Sequence, residues 1–151
     1  MGKSRSFDSL YRQYRDATLS SGKRPGLYER MLECAESFSD WAIIHRYGGS
    51  SYQYLAEQKM KASVFDGENS LDIQKNIIEL FEILADENER KDILETYLSK
   101  YQSTDDYIFV MVMSPTVAPF FPGMEGLSVK EIEKIINEKR EQIRKLRENC
   151  L

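Results

Sequence analysis

His45 is the only histidine in the 151 residues, and its place in the chain limits the chemistry open to it. General acid–base work near neutral pH usually needs an imidazole within hydrogen-bond reach of a second titratable group. His45 instead continues a stripe of Leu27, Met31, Cys34, Phe38 and Trp41, spaced in steps of three and four. On such a stripe a histidine reads as a hydrogen-bonded core residue. Cys34 shares the stripe but stands about 16 Å from His45 at a helical rise of about 1.5 Å per residue, too far to pair with it. Cys34 and Cys150 are too widely separated in sequence to read as a metal clip or redox pair. The carboxylates come in runs such as Asp86, Glu87 and Glu89, the pattern of a solvated face. Glycine-rich phosphate or dinucleotide loops, H-E-x-x-H and C-x-x-C are all missing from the sequence. The expectation is a protein that is not an enzyme, with no catalytic residue, no cofactor and no metal.

Binding chemistry is better represented. Near the C-terminus Val129, Ile132, Ile136, Lys139, Ile143, Leu146 and Cys150 recur in steps of three and four, as heptad core positions do. Charges crowd the other faces. Such a seam packs on the body of its own chain or on a second subunit. Lys139 in its middle is the kind of polar insertion that fixes register at some cost in stability. Ahead of the seam lies the loop PTVAPFFPGMEG, where Phe120 and Phe121 are apolar anchors. These residues point to a protein partner or to a homo-oligomer.

Three other arrangements suggest partners of other kinds. HRYGGSSYQYL places a glycine turn between two helical patterns, the layout of a helix-turn-helix over residues 38–61. Arg46, Ser50, Ser51, Gln53 and Lys59 would then contact a nucleic acid, or Arg46 and the serines a small anion. Against this, the chain carries net charge −4, whereas nucleic-acid affinity rests on neutralising phosphates. An ordinary corner between two core helices is the simpler reading. MGKSRS fits the pattern for N-myristoylation at Gly2, which would make the protein membrane-peripheral. A charged N-terminus without such a modification is the reading preferred, and a membrane partner is not expected.

The elements that must position these residues are helical. Phe7, Leu10, Tyr11, Tyr14 and Thr18 share a face, with Ser6 placed to cap it. The stripe from Leu27 to His45 predicts one helix of about five turns, stopped by Gly48 and Gly49. Further helices start near Ser50 or Ser51, at Ser70, and after the link ADENER. Ser128 and Glu131 form a capping box before the last and longest helix. The run YIFVMVM at 107–113 is short and apolar enough for either a buried strand or a buried helix. Thr104 as a cap, two aspartates behind it and Ser114-Pro115 as a stop favour the helix narrowly. The expected fold is therefore mainly α, a single-domain bundle of about six helices, with residues 1–127 as the body and 128–151 as the C-terminal helix.

Composition agrees with a globular chain: 41% of residues are hydrophobic and 30% charged. No segment approaches the roughly 18 consecutive apolar residues of a membrane span, and the N-terminus lacks a secretory core, so a cytoplasmic location is expected. The charge is uneven. Residues 1–63 hold ten Lys or Arg against seven Asp or Glu, and residues 64–107 hold four against twelve.

Overall fold

A computed structural model describes residues 2–17, 22–117 and 124–150. These form eight α-helices and, among the described residues, no strand. The fold is mainly α, as the periodicity predicts. Two helices beyond the expected six come from a break in the second pattern and from the run at 107–113, which is helical. Phe120 and Phe121 lie outside the described residues. Among the described residues no helix is long and apolar enough to cross a membrane. The chain divides into two compact units, Met1–Asp66 and Gly67–Leu151.

The first unit holds α1 (Gly2–Asp16), α2 (Arg24–Cys34), α3 (Phe38–Tyr47) and α4 (Ser50–Ser63). α1 begins at Gly2, so Ser6 sits inside the helix and does not cap it. The Leu27–His45 stripe is interrupted at Ala35–Ser37, where Ala35 and Ser37 are extended. The cause is a capping box that the stripe conceals. Asp40 N–H donates to Ser37 Oγ at 3.1 Å, while Asp40 Oδ2 accepts from the backbone N–H of Glu36 and Ser37 at 3.0 and 3.2 Å. A fresh helix start satisfies more backbone groups here than a continued helix would.

At the other end of α3, carbonyls left without helical partners are met by side chains. Tyr28 donates to Ile44 O at 2.9 Å, and Gln53 Nε2 donates to His45 O at 3.3 Å. Side chains from α2 and α4 thus close α3, and the two-residue turn Gly48-Gly49 runs beneath them. A Cβ on Gly48 would collide with the Tyr28 hydroxyl and lie 2.9 Å from Ile44 O and 3.0 Å from Tyr52 Cβ. Glycine is required there by close approach.

The second unit holds α5 (Ser70–Phe81), α6 (Glu87–Lys100), α7 (Thr104–Met113) and α8 (Val129–Cys150). Each start is capped, one residue earlier than expected for α5 and α7. Asn69 caps α5, Asp86 caps α6, and Ser103 caps α7 in a reciprocal box with Asp106. Ser128 Oγ accepts from Glu131 N–H at 3.2 Å at the start of α8. α7 is apolar around most of its circumference because it is central: Ile108, Phe109, Val110 and Met111 are all buried. Each such side chain contributes about 1.5–3 kcal/mol by leaving water. α8 packs along α5 and α7, with Ile135 and Ile136 against Ile108 and Met111.

Gly48→Ala is expected to cost about 1–3 kcal/mol of stability in urea unfolding, the usual penalty of forcing atoms into filled space. In a Tyr28→Phe background the same change should cost less, because the nearest clashing atom is gone. Equal costs in both backgrounds would contradict this packing.

Candidate functional site

The densest polar constellation lies inside the second unit and uses all four of its helices. Lys139, on α8, is buried to 3% side-chain exposure, whereas its ion-pair partner Asp105 is 62% exposed. The ammonium donates to Gln74 Oε1 at 2.9 Å, to both Asp105 oxygens at 3.0 Å, and to Gln142 Oε1 at 3.0 Å. Three N–H donors thus meet three residues, and the Phe109 ring lies 5.8 Å away. Gln74, on α5, relays the contact inward. Its Nε2 donates to Tyr97 Oη at 2.9 Å and Asp105 Oδ2 at 3.1 Å, with Asp106 Oδ1 at 3.4 Å. Tyr97, on α6, donates to Asp106 Oδ1, and Asp106 Oδ2 accepts from Ser103 N and Oγ. Burial, then the Asp106 hydrogen bond, push the Tyr97 phenol up, so it stays neutral.

A lysine beside a tyrosine and two aspartates resembles the parts of a proton relay, yet the geometry commits them to one another. Among the described residues, no buried side-chain nitrogen or oxygen lacks a partner. To act as nucleophile or base, Lys139 would have to give up its hydrogen bonds to Gln74, Asp105 and Gln142. The constellation ties α8 to α5, α6 and α7. Gln74 is the residue that sequence reading missed. Its signal was a polar residue one position from the buried stripe Ile73, Ile77, Phe81 and Leu84.

The predicted interaction residues divide along α8. Lys139 and Ile143 are buried, Ile132, Ile136 and Leu146 are half-buried, and Val129 is 72% exposed. Most of the heptad seam is therefore turned onto this chain's own unit. His45, in the other unit, is half-buried, and burial lowers its pKa despite an opposing influence from Glu57. Cys34 is a free, half-buried thiol. No group of three or more His, Cys, Asp or Glu among the described residues is arranged to hold a metal ion.

The first unit brings together residues that the sequence scatters. Six of the nine tyrosines fall within the first 54 residues, and five of those form a ladder. Tyr11 meets Tyr47 at 5.9 Å, Tyr47 meets Tyr14 at 5.3 Å, Tyr14 meets Tyr28 at 6.1 Å, and Tyr28 meets Tyr52 at 5.4 Å between ring centroids. Arg15 lies over Tyr11 at 5.7 Å and Arg24 over Tyr14 at 4.8 Å. Burial pushes the Tyr28 phenol up to about 12.

The ladder surfaces at the α3–α4 corner, where Tyr47, Tyr52, Tyr54 and Leu55 are 37%, 39%, 68% and 40% exposed. Tyr52, Leu55, Lys59 and Ala62 form one solvent stripe at helical spacing, beside the buried Ala56, Met60 and Ser63. The residues proposed for nucleic-acid or anion contact sit around this corner. Gln53 is occupied in closing α3, Lys59 lies 5.7 Å from the Trp41 ring, and Arg46, Ser50 and Ser51 are exposed.

Breaking the Lys139 lock should reveal an asymmetry of burial. Asp105→Ala strands a buried ammonium without its counter-charge and is expected to cost about 2–4 kcal/mol. Lys139→Met leaves a hydrated Asp105 and one orphaned amide oxygen, a cost of about 1–2 kcal/mol. Denaturant unfolding checks the order, and the reverse order would contradict a committed ammonium. His45 supplies a pH test. Its folded pKa lies below the ordinary 6.5, so as pH falls through that value the unfolded chain takes the proton first. Stability is unaffected above that range and declines below it. Wild type should therefore lose more stability than His45→Gln between about pH 7 and about pH 5.5.

Compared with known proteins, the chain matches no family model, no curated protein and no solved structure.

Proposed function

We propose that this is a non-catalytic protein-interaction protein whose docking face is the solvent stripe of α4, with an acidic, apolar-anchored segment of another protein as its partner. The observation that carries the reading is the exposure of Tyr47, Tyr52 and Leu55 at one corner. Tyrosine and apolar anchors of this kind supply contact area at low entropic cost, and Tyr is enriched in interface hot spots. The tyrosines behind them hold the corner rigid, which reduces the ordering cost on binding. Charge selects the partner. Arg15, Arg46 and Lys59 stand near the ladder and stripe, and the first unit carries ten Lys or Arg against eight Asp or Glu.

The C-terminal helix has a smaller part in this reading than its heptads suggest, because Lys139 and Ile143 are spent inside the second unit. Val129 and the charged flank of α8 are what it offers to a partner. The α4 stripe is also poorly suited to reading base edges. A recognition helix needs several donors and acceptors there, and this stripe sets only the Tyr52 hydroxyl and Lys59 beside the apolar Leu55 and Ala62.

Panning the full chain against a display library of random peptides tests the proposal. The expected result is enrichment of sequences combining Asp or Glu with Leu, Phe or Met. Leu55→Glu, an exposed position that leaves the helical circular dichroism intact, should weaken their binding about tenfold or more. Enrichment of basic sequences, or affinity untouched by Leu55→Glu, would overturn the assigned face and partner. So would salt-sensitive binding of a single-stranded oligonucleotide, or a doubling of solution mass, that Leu55→Glu abolishes.

A further inference from the structure

The second unit holds a pocket of about 570 Å³ at the ends of α5 and α7, walled by Glu82, by Arg90 on α6 and by Arg140 and Arg147 on α8. Phe81 and Ile143 beneath it are already buried, so the surface it presents is mostly polar. The three guanidinium groups differ in what already holds them. Arg90, half-buried, donates to Leu84 O at 2.5 Å and Phe81 O at 2.7 Å. Both acceptors are neutral carbonyls at the end of α5, where the helix dipole carries only about half a negative charge, so the guanidinium leaves that wall positive. Arg140 and Arg147 are exposed and lie about two turns apart on one face of α8. Arg147 donates to Glu82 Oε1 at 2.9 Å, and both side chains of that pair are about half exposed. Arg140 makes no hydrogen bond or ion pair among the described residues.

We infer that this pocket binds a small phosphate monoester with a hydroxylated body, and that the phosphate displaces Glu82 from Arg147. Among the described residues of the lining, Glu82 is the one carboxylate against three guanidinium groups. A phosphate monoester brings a charge of about −1.5 to −2 at pH 7, which offsets the surplus left on Arg90 and Arg140. Direction favours the same group. Donors arrive from α6 and from two turns of α8, and a tetrahedral oxyanion accepts from several directions where a planar carboxylate suits a single fork. The Glu82–Arg147 pair is no obstacle, because an exposed ion pair is weak when both partners are well hydrated without it. A dianion that also meets Arg90 and Arg140 outcompetes Glu82 and gains the third guanidinium. The volume lies within the span of about 300–1,000 Å³ typical of small-molecule sites, and the polar lining suits hydroxyls on the rest of the molecule. Phe81, the aromatic residue of the lining, is buried, which leaves a nucleotide base no ring to stack on. The inference is independent of the α4 docking face, which lies in the other unit.

Titration calorimetry on the full chain with glucose 6-phosphate at low salt tests the site. The expected result is binding at one molecule per chain, weakened about tenfold or more by Arg140→Glu and unchanged by Lys145→Glu, an exposed position on α8 outside the lining. Glu82→Gln frees Arg147 and should tighten binding about threefold, whereas a residue that merely held the helices together would give a loss or no change. Glucose should fail to bind, and inorganic phosphate should bind less tightly than the sugar phosphate. All three substitutions fall at exposed positions, and helical circular dichroism checks that each variant is folded. No binding of glucose 6-phosphate, several molecules per chain, an affinity indifferent to Arg140→Glu, or one not raised by Glu82→Gln would overturn the assignment. So would tighter binding of a phosphoserine peptide than of the sugar phosphate, which would move the site from small molecules to a protein partner.

Discussion

A buried ammonium must be surrounded or it will not stay buried, and that constraint organises the second unit. Lys139 sits on the longest and most densely charged helix, yet it is nearly inaccessible to solvent. Removing such a charge from water costs several kcal/mol, which only a complete set of acceptors can offset. Gln74, Asp105 and Gln142 provide that set, and each is held in turn. Gln74 can offer its oxygen to the lysine because its nitrogen is committed to Tyr97 and Asp105. Asp106 can hold Tyr97 because Ser103 holds Asp106 while capping α7. A single point charge thereby couples the positions of α5, α6, α7 and α8. Slipping α8 by one turn would leave the ammonium facing apolar surface.

The first unit is built on a different interaction. Tyrosine faces and arginine side chains join α1–α4, with α3 closed at its end by Tyr28 and Gln53. Tyrosine is suited to both sides of a surface, because its ring packs as an apolar body while its hydroxyl stays wet. The ladder therefore runs from the interior of the unit to its corner without a break in chemistry. What reaches water there is amphipathic, with Tyr47 and Tyr52 each more than a third exposed.

Much of this was legible in the residues and some was not. The helices follow from three- and four-residue spacing, and the run at 107–113 resolves to a helix because its caps and stop outweigh its β-branched composition. The Leu27–His45 stripe misled for a physical reason. Periodicity reports which face is buried but not whether the backbone is continuous across it, and Ser37 with Asp40 carried the missing signal as a capping box inside the stripe. Lys139 was readable as a polar insertion that sets register, but its acceptors come from 65 and 34 residues away and no local pattern encodes such separations. Five tyrosines spread over four helices were likewise visible only as a compositional excess. Heptad spacing on α8 was real, but spacing alone does not distinguish a seam that meets a partner from one that meets its own core.

Native-state hydrogen exchange, followed amide by amide along α8, addresses the lock most directly. If Lys139 fastens this helix to its unit, the amides of residues 136–143 open only with those of α5 and α7, at the same free energy and with the same denaturant dependence. Amides there that exchange far faster than those of Ile77 and Val110, as in an arm frayed from the body, would contradict the account.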